Sequence, residues 1–377
     1  MSNDIFSAVV EDQGEVLLEL TSRALSGARV NALSLPYFRG TGAGVLSDEN
    51  SSWWQNSEAL YQAGGGYFTF PDTTGNGINS IDTSWILRRY GTEQFSNSVW
   101  RLSEMKSREE GKRFKLTKID MILPRQPVLY TAVKMENTGE SDITATCSWH
   151  SMLGYPAVST GTIINSNARF WTSYGMSSRE AGLSRFAPGS VFEDLKHAPL
   201  LRGGVADAGI VPPPTGTYDY FIGKIPEKEA LSWVSVNNPH NQLMYFMVTP
   251  HKPASPDEFV FPNVDLAQNY FGRMDAPWAL FDGATPEVFA LTLGFNTGPR
   301  GTKNMVLRKG ESKVAYIANG FMAYENPRIG LGVFSTECTA QGVVFKRTKS
   351  SAVMPMDTSF RAIRMLAKRL FSPEEEE

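Results

Sequence analysis

The segment Cys147-Ser148-Trp149-His150-Ser151-Met152-Leu153-Gly154-Tyr155-Pro156 ends the second of two adjacent strand-like runs. These runs are Val128 to Glu136 and Asp142 to Trp149, and Asn137-Thr138-Gly139-Glu140 joins them. Asparagine and glycine tolerate the left-handed backbone of tight turns, so the pattern predicts a β-hairpin. The second strand carries the imidazole of His150 to a point where a glycine and a proline end regular structure. Such a histidine is typical of a site on a rigid scaffold, and the alternative is a buried histidine that binds backbone carbonyls.

The composition is that of a folded and nearly neutral protein. Of the 377 residues, 41% are hydrophobic and 20% are charged, which is enough apolar material for a large core. The net charge is −3, and the glutamates at positions 374 to 377 account for its sign. A protein that binds nucleic acid needs a basic face to neutralise phosphates, so we predict no nucleic-acid partner.

The sequence carries no signal for a metal site, secretion or membrane insertion. Cys147 and Cys338 are too few for a disulfide framework and lack the spacing of metal ligands. The residues after Met1 do not form a signal peptide, and no apolar run is long enough to cross a bilayer. We therefore expect a cytoplasmic protein with no metal, no cofactor and no transmembrane segment.

Short alternating apolar segments, separated by turn residues, run through most of the chain. The 33 glycines and 22 prolines are spread between these segments. As one example, Val99 to Lys106 and Arg113 to Met121 predict a hairpin. Many short strands with turns between them indicate an all-β sandwich or barrel, which can run past about 200 residues as one domain. We predict a single large antiparallel β supersandwich over residues 1–355, with almost no helix.

Residues 356–377 depart from this pattern and predict a C-terminal amphipathic helix with an acidic tail. Asp357 or Thr358 can cap the helix. Four apolar residues recur at helical spacing, namely Phe360, Ile363, Leu366 and Leu370. Four basic residues lie on the opposite face, namely Arg361, Arg364, Lys368 and Arg369. Two roles remain open for the helix, which either packs on the sandwich with a solvated basic face or docks an acidic partner or membrane.

Five motifs follow one another along roughly residues 15 to 325. They are Gly64-Gly65-Gly66-Tyr67-Phe68-Thr69-Phe70-Pro71, Arg88-Arg89-Tyr90-Gly91 with Trp100-Arg101-Leu102-Ser103-Glu104, Val128 to Thr138, Trp149 to Pro156, and Leu307-Arg308-Lys309-Gly310-Glu311-Ser312. In this order the motifs resemble those of the galactose mutarotase-like superfamily, the antiparallel supersandwich that includes aldose 1-epimerases and hexose-6-phosphate mutarotases. In the last motif, Lys309 stands where proline is usual.

The resemblance implies a small-molecule carbohydrate site on the concave face of a curved sheet. Opening a cyclic hemiacetal needs one proton removed from the anomeric hydroxyl and another delivered to the ring oxygen. His150 matches the acid of this family, and Arg88 and Arg89 are candidates for holding sugar hydroxyls. A tryptophan can lie against the apolar face of a pyranose, and core packing is the alternative for each candidate. These candidates are Trp149, Trp171 and Trp278.

One position departs from the family pattern in a way that affects the chemistry. The family's base is a glutamate near the end of a late strand, and here Gly294 takes its place, which cannot accept a proton. We rank Asp275 first and Glu287 second as the replacing base, with Asp282 third. If none of them serves, the alternative function is a non-catalytic carbohydrate-binding or structural member of the fold.

Overall fold

The structure is a computed structural model of the full chain. It describes residues 1–10, 15–23, 27–33, 65–72, 85–93, 97–106, 113–174, 184–270, 290–299, 304–324, 335–339, 341–347 and 350–372. Strands provide nearly all regular structure in these ranges, apart from the single-turn 3₁₀ helix Leu195–His197 and one C-terminal α-helix.

The strands are numbered here in chain order. In the first half they are β1 (Phe6–Val10), β2 (Leu17–Arg23), β3 (Arg29–Asn31), β4 (Gly66–Asp72), β5 (Ile86–Glu93), β6 (Ser98–Lys106), β7 (Phe114–Ile122), β8 (Val128–Asn137), β9 (Ile143–Leu153), β10 (Ile163–Ser166), β11 (Arg169–Tyr174), β12 (Val191–Phe192) and β13 (Ala198–Pro199). In the second half they are β14 (Val205–Ala206), β15 (Thr217–Lys224), β16 (Leu231–Asn238), β17 (Leu243–Pro250), β18 (Glu258–Phe259), β19 (Asn263–Tyr270), β20 (Ala290–Asn296), β21 (Met305–Leu307), β22 (Ser312–Ala323), β23 (Ser335–Thr339), β24 (Gly342–Arg347) and β25 (Ser350–Pro355), followed by α1 (Arg361–Phe371).

Two large sheets form the body of the protein. Within the described residues, the eleven-stranded sheet has the order β1-β2-β4-β9-β20-β19-β15-β11-β12, with β3 on β2 and β21 on β9. The nine-stranded sheet has the order β10-β16-β17-β22-β8-β7-β6-β5, with β18 on β22. The short β18–β22 pair is parallel, and the ladders of both large sheets are otherwise antiparallel. The predicted all-β antiparallel fold with a C-terminal helix is confirmed.

The two predicted hairpins have different outcomes. The strands β6 and β7 pair directly, with Lys106 opposite Lys115, so the hairpin predicted there is correct. The hairpin predicted between β8 and β9 is wrong, because β8 pairs with β7 and β22 while β9 joins the other sheet. The chain does turn after Asn137, but the turn leads from the nine-stranded sheet to the eleven-stranded sheet. The Asn137 side-chain amide donates to the carbonyls of Ser141 and Leu307, each at 2.9 Å, which fastens the crossover to β21.

Apolar side chains form two cores on opposite faces of the nine-stranded sheet. The larger core lies between the two sheets and includes Trp149, Leu293 and Phe321. The second core lies on the outer face of the nine-stranded sheet, beneath residues of β24, β25 and α1. Since both faces of this sheet are covered, the strands β16 and β17 are buried at every position.

The C-terminal segment closes this outer face. Helix α1 begins after Phe360, which is fully buried and left-handed at φ 56°, and the Asp357 carboxylate accepts from the Ala362 N–H at 2.9 Å. On the helix, Arg364 donates to both carboxylate oxygens of Glu258, at 2.7 and 2.9 Å, and lies over the ring of Tyr316. The helix therefore packs on the outer face of the nine-stranded sheet, and the domain boundary predicted at residue 355 stays a prediction. No helix among the described residues has the length and apolar character needed to cross a membrane.

Candidate functional site

On β9, the side chain of His150 projects from the opposite face to those of Trp149 and Ser151, because successive residues of a strand face opposite sides of the sheet. Trp149 and Ser151 point into the core between the sheets, where the Trp149 Nε1–H donates to Ser151 Oγ at 3.0 Å. Trp149 is 0% exposed, so it does not lie on the face that carries His150. Trp171 is also a core residue and packs over Gly223.

A row of four residues crosses the outer face of the eleven-stranded sheet at His150. In the ladders, Tyr67 of β4 is opposite His150, His150 is opposite Gly294 of β20, and Gly294 is opposite Asp265 of β19. Cross-strand partners project from the same face. The ring of Tyr67 stacks on the imidazole, with 4.7 Å between centroids and 23° between planes. Tyr67, His150 and Asp265 keep 8%, 8% and 7% of their surface exposed, so the row is largely enclosed.

The glycine in this row makes room for the aspartate beside it. A Cβ added to Gly294 would lie 2.0 Å from Asp265 Oδ1 and 2.5 Å from the carbonyl oxygen of Trp149. The Asp265 carboxylate therefore occupies the space above β20 that a side chain at position 294 would fill. Neighbouring strands lie about 4.8 Å apart, so this carboxylate stands one strand away from the strand of His150.

Sequence reasoning missed Asp265. Its strand β19 lies among many similar alternating segments, and nothing in the local pattern distinguishes this acid from a solvated one. The available signal was the combination of a glycine at 294 with outward polar residues at Asn263, Asp265 and Asn296, which requires the β19–β20 register.

Amide and hydroxyl groups border the row on the same face. The next register level along the strands contains Thr69, Ser148, Asn296 and Asn263. The hydroxyls of Thr69 and Ser148 are hydrogen-bonded to each other, and the Asn263 amide donates to the Asn296 carbonyl at 3.3 Å. The Asn296 amide also lies 3.5 Å from the hydroxyl of Tyr220. Uncharged donors and acceptors of this kind suit the hydroxyls of a neutral ring.

Comparison with solved structures relates this architecture to known folds at low sequence identity. A galactose mutarotase-like protein from Clostridium acetobutylicum matches with a TM-score of 0.53 and 12% identity, covering 86% of this chain and 94% of that one. The GalM/aldose epimerase homologue from C. elegans gives 0.53 and 12%, covering 86% and 98%. The chain has the galactose mutarotase-like fold. No protein-family model matches the sequence, and no curated protein matches it.

A third solved structure matches over nearly the whole chain. A TPR-domain containing protein from Parabacteroides distasonis gives a TM-score of 0.55 with 12% identity, covering 99% of this chain and 54% of that one. At these identities the comparisons show the fold alone.

The two predicted arginines lie away from this row. Arg88 and Arg89 belong to β5, the edge strand of the nine-stranded sheet, whereas His150 lies in the eleven-stranded sheet. Arg88 Nε donates to Glu104 Oε2 at 2.9 Å, and its side chain is 43% exposed. The structure therefore does not bring Arg88 or Arg89 together with His150. The motif that contains Arg88 and Arg89 occurs at the expected place along the chain, but its strand belongs to the nine-stranded sheet and not to the sheet of His150.

The other predicted site residues lie outside the described residues. Asp275, Glu287, Trp278 and Asp282 all fall within 271–289, the segment between β19 and β20 in the chain. Their roles stay predictions.

Proposed function

We propose that the protein binds a carbohydrate on the outer face of the eleven-stranded sheet and catalyses proton transfer at its anomeric centre. The observation that carries this proposal is the Asp265 carboxylate in the space above Gly294, one strand from His150. A carboxylate and an imidazole side by side on one enclosed face form the acid–base pair that opening a hemiacetal requires. The galactose mutarotase-like fold of the chain supports the same reaction class.

Ring opening and ring closure each transfer two protons in the proposed reaction. Asp265 accepts the proton of the anomeric hydroxyl, while His150, as the imidazolium, donates a proton to the ring oxygen. The bond between the anomeric carbon and the ring oxygen breaks, and an open-chain aldehyde forms. Rotation about the bond to the aldehyde carbon presents its other face, and the reverse transfers close the ring as the second anomer. Imidazole suits the acid role because it exchanges protons near neutral pH.

The surrounding groups have supporting roles in this proposal. Tyr67 stacks on His150 and holds the imidazole plane in one orientation. Asn263, Asn296 and Ser148 supply hydrogen bonds for the sugar hydroxyls on the same face. The limited exposure of the row keeps competing water away from the transferred protons.

The decisive experiment is polarimetry of freshly dissolved aldoses with two variants of the pair. Asp265→Asn and His150→Gln should each slow anomerisation by about a hundred- to ten-thousand-fold, the usual contribution of a general acid or base. Asp219→Asn is the matched control, because Asp219 is a buried carboxylate of the same sheet on its opposite face. The control should keep the wild-type rate.

Two further results would redirect the assignment. If Asp275→Asn or Glu287→Gln abolishes anomerisation while Asp265→Asn does not, the base lies in segment 271–289. If the wild-type protein binds aldoses without accelerating their mutarotation, the non-catalytic carbohydrate-binding function replaces the catalytic one.

A further inference from the structure

Two cations face each other at the far end of the polar face. Arg169 of β11 is directly opposite Lys224 of β15, and Lys224 is opposite Asn263 of β19. Because ladder partners share a face, both cations lie on the side of the sheet that carries Asp265 and His150. They occupy the same register level as Asn263 and Asn296.

This pair costs stability in the absence of an anion. Like charges directly opposite each other on neighbouring strands are destabilising. Among the described residues, neither Arg169 nor Lys224 forms an ion pair with an acid. By contrast, Lys346 of β24 pairs with Glu337 of the neighbouring strand β23 in the C-terminal sheet. An unmatched pair of cations is a site at which a bound anion recovers the lost energy.

The residue that follows Arg169 in the chain is aromatic and has an unfavourable backbone conformation. Phe170 follows Arg169, has φ 53°, and is 62% exposed. It is the extra residue of a β-bulge, since Arg169 pairs with Lys224 and Trp171 with the adjacent Gly223. A left-handed conformation is a true outlier for a bulky residue, and bulges commonly redirect a side chain next to a site. Exposing Phe170 at this position contributes nothing to the core and points to a ligand.

We propose that Arg169, Lys224 and Phe170 form a subsite for an acidic sugar unit, so that the ligand is an acidic oligosaccharide rather than a monosaccharide. The aromatic ring stacks on the apolar face of a sugar while the two cations bind its anionic group. Arg169 and Phe170 on β11 are three strands from β20, roughly 14 Å, and Lys224 on β15 is two strands from it, roughly 10 Å, so the subsite lies beyond the reach of one pyranose at the His150–Asp265 pair. This proposal rests on the proposed function, which places the reducing end of the oligosaccharide at His150.

The test compares oligosaccharide binding by isothermal titration calorimetry at low and high salt. The probes are trigalacturonate, a sulfated oligosaccharide and neutral maltotriose. Either acidic probe should bind at least about tenfold more tightly than maltotriose at low salt, and the advantage should shrink as salt rises. Trigalacturonate and the sulfated probe distinguish a carboxylate from a sulfate as the preferred anion.

Variants separate binding from structure. Arg169→Gln and Lys224→Gln should each weaken binding of the preferred acidic probe by about tenfold, the loss expected for one hydrogen bond to a charged group, with maltotriose unaffected. Phe170→Gly should weaken binding of all the oligosaccharides while raising the melting temperature, because glycine adopts the left-handed conformation without strain. Lys228→Gln, an exposed lysine in the turn after β15, is the control and should change nothing.

Equal affinity for acidic and neutral probes would overturn the proposal, as would a Phe170→Gly variant that loses stability but binds normally. Mutarotation of free aldoses, measured on the same variants, keeps the two proposals apart. The Arg169 and Lys224 variants should retain the wild-type rate on monosaccharides. Acidic oligosaccharides that bind to a protein without mutarotase activity would leave the subsite intact and remove only the catalytic function.

Discussion

The outer faces of the two large sheets differ in what they carry and in what covers them. The outer face of the nine-stranded sheet is apolar, with residues such as Tyr130 and Phe246, and the C-terminal layer buries it through Phe345 and Phe360. The outer face of the eleven-stranded sheet instead carries the row through His150. One face serves stability, and the other gives up apolar burial to present polar groups.

The cost of the polar face suggests why it exists. Burying an ionisable group carries a desolvation cost that an apolar side chain does not have, and His150 and Asp265 are each more than nine-tenths buried. Enclosed titratable groups that share a face are typical of functional sites. The comparison therefore predicts that substitutions on the apolar face change stability and that substitutions in the polar row change chemistry.

The largest effect is expected on the apolar face. Phe360→Ala should lower the free energy of unfolding by about 3–5 kcal/mol, because it removes a fully buried ring that packs edge-to-face on Tyr130. Urea denaturation followed by tryptophan fluorescence measures the change. Met365→Ala on the exposed side of α1 is the control and should stay within about 0.5 kcal/mol of wild type. A loss below about 1 kcal/mol for Phe360→Ala would contradict the view that the outer face of the nine-stranded sheet contributes mainly to stability.

The second prediction uses Asp219, a carboxyl group on the inner face of the eleven-stranded sheet. Burial raises its pKa from 3.8 to about 6, against the opposing effect of hydrogen bonds from the Phe186 and Arg185 N–H groups. Because the folded protein holds this proton more tightly, the associated stability is complete below the unfolded pKa and is lost as the pH rises through 6. A pKa rise of roughly two units corresponds to about 3 kcal/mol.

The free energy of unfolding of wild type should therefore fall by about 3 kcal/mol between pH 3 and pH 7, relative to Asp219→Asn. Urea denaturation at a series of pH values gives both curves. Parallel curves would show that the carboxylate is solvated. In that case the inner face of the eleven-stranded sheet would not differ from its outer face in how it affects the pKa of a carboxyl group.

The smallest effect is expected at the centre of the polar row. Gly294→Ala should cost about 1–3 kcal/mol of stability, since the new methyl group meets Asp265 and the Trp149 carbonyl, which belongs to a paired strand and cannot move away. Displacing Asp265 should also slow anomerisation. The double variant Gly294→Ala/Asp265→Ala should recover part of the stability and none of the activity. A Gly294→Ala variant with wild-type stability and rate would show that Asp265 does not need this space.

Local pattern was sufficient for the kinds of elements in this protein. Alternating apolar residues and turn residues predicted the strands, including the β6–β7 hairpin, and helical spacing predicted α1. The sequence also indicated the strand that carries His150, although β9 continues past the predicted end to Leu153, and the unusual glycine at 294. These features depend on neighbours a few residues apart, which the sequence displays directly.

Pairing between distant strands was decided only by the tertiary structure. The turn after β8 has the residues of a hairpin, yet β9 leaves for the other sheet, because burying both faces of the nine-stranded sheet determines its partners. The same register sends Trp149 into the core and leaves Arg88 at a remote edge. It also brings Asp265 over Gly294. Contacts between residues far apart in the chain follow from packing and register rather than from local propensity, so the sequence alone does not reveal them.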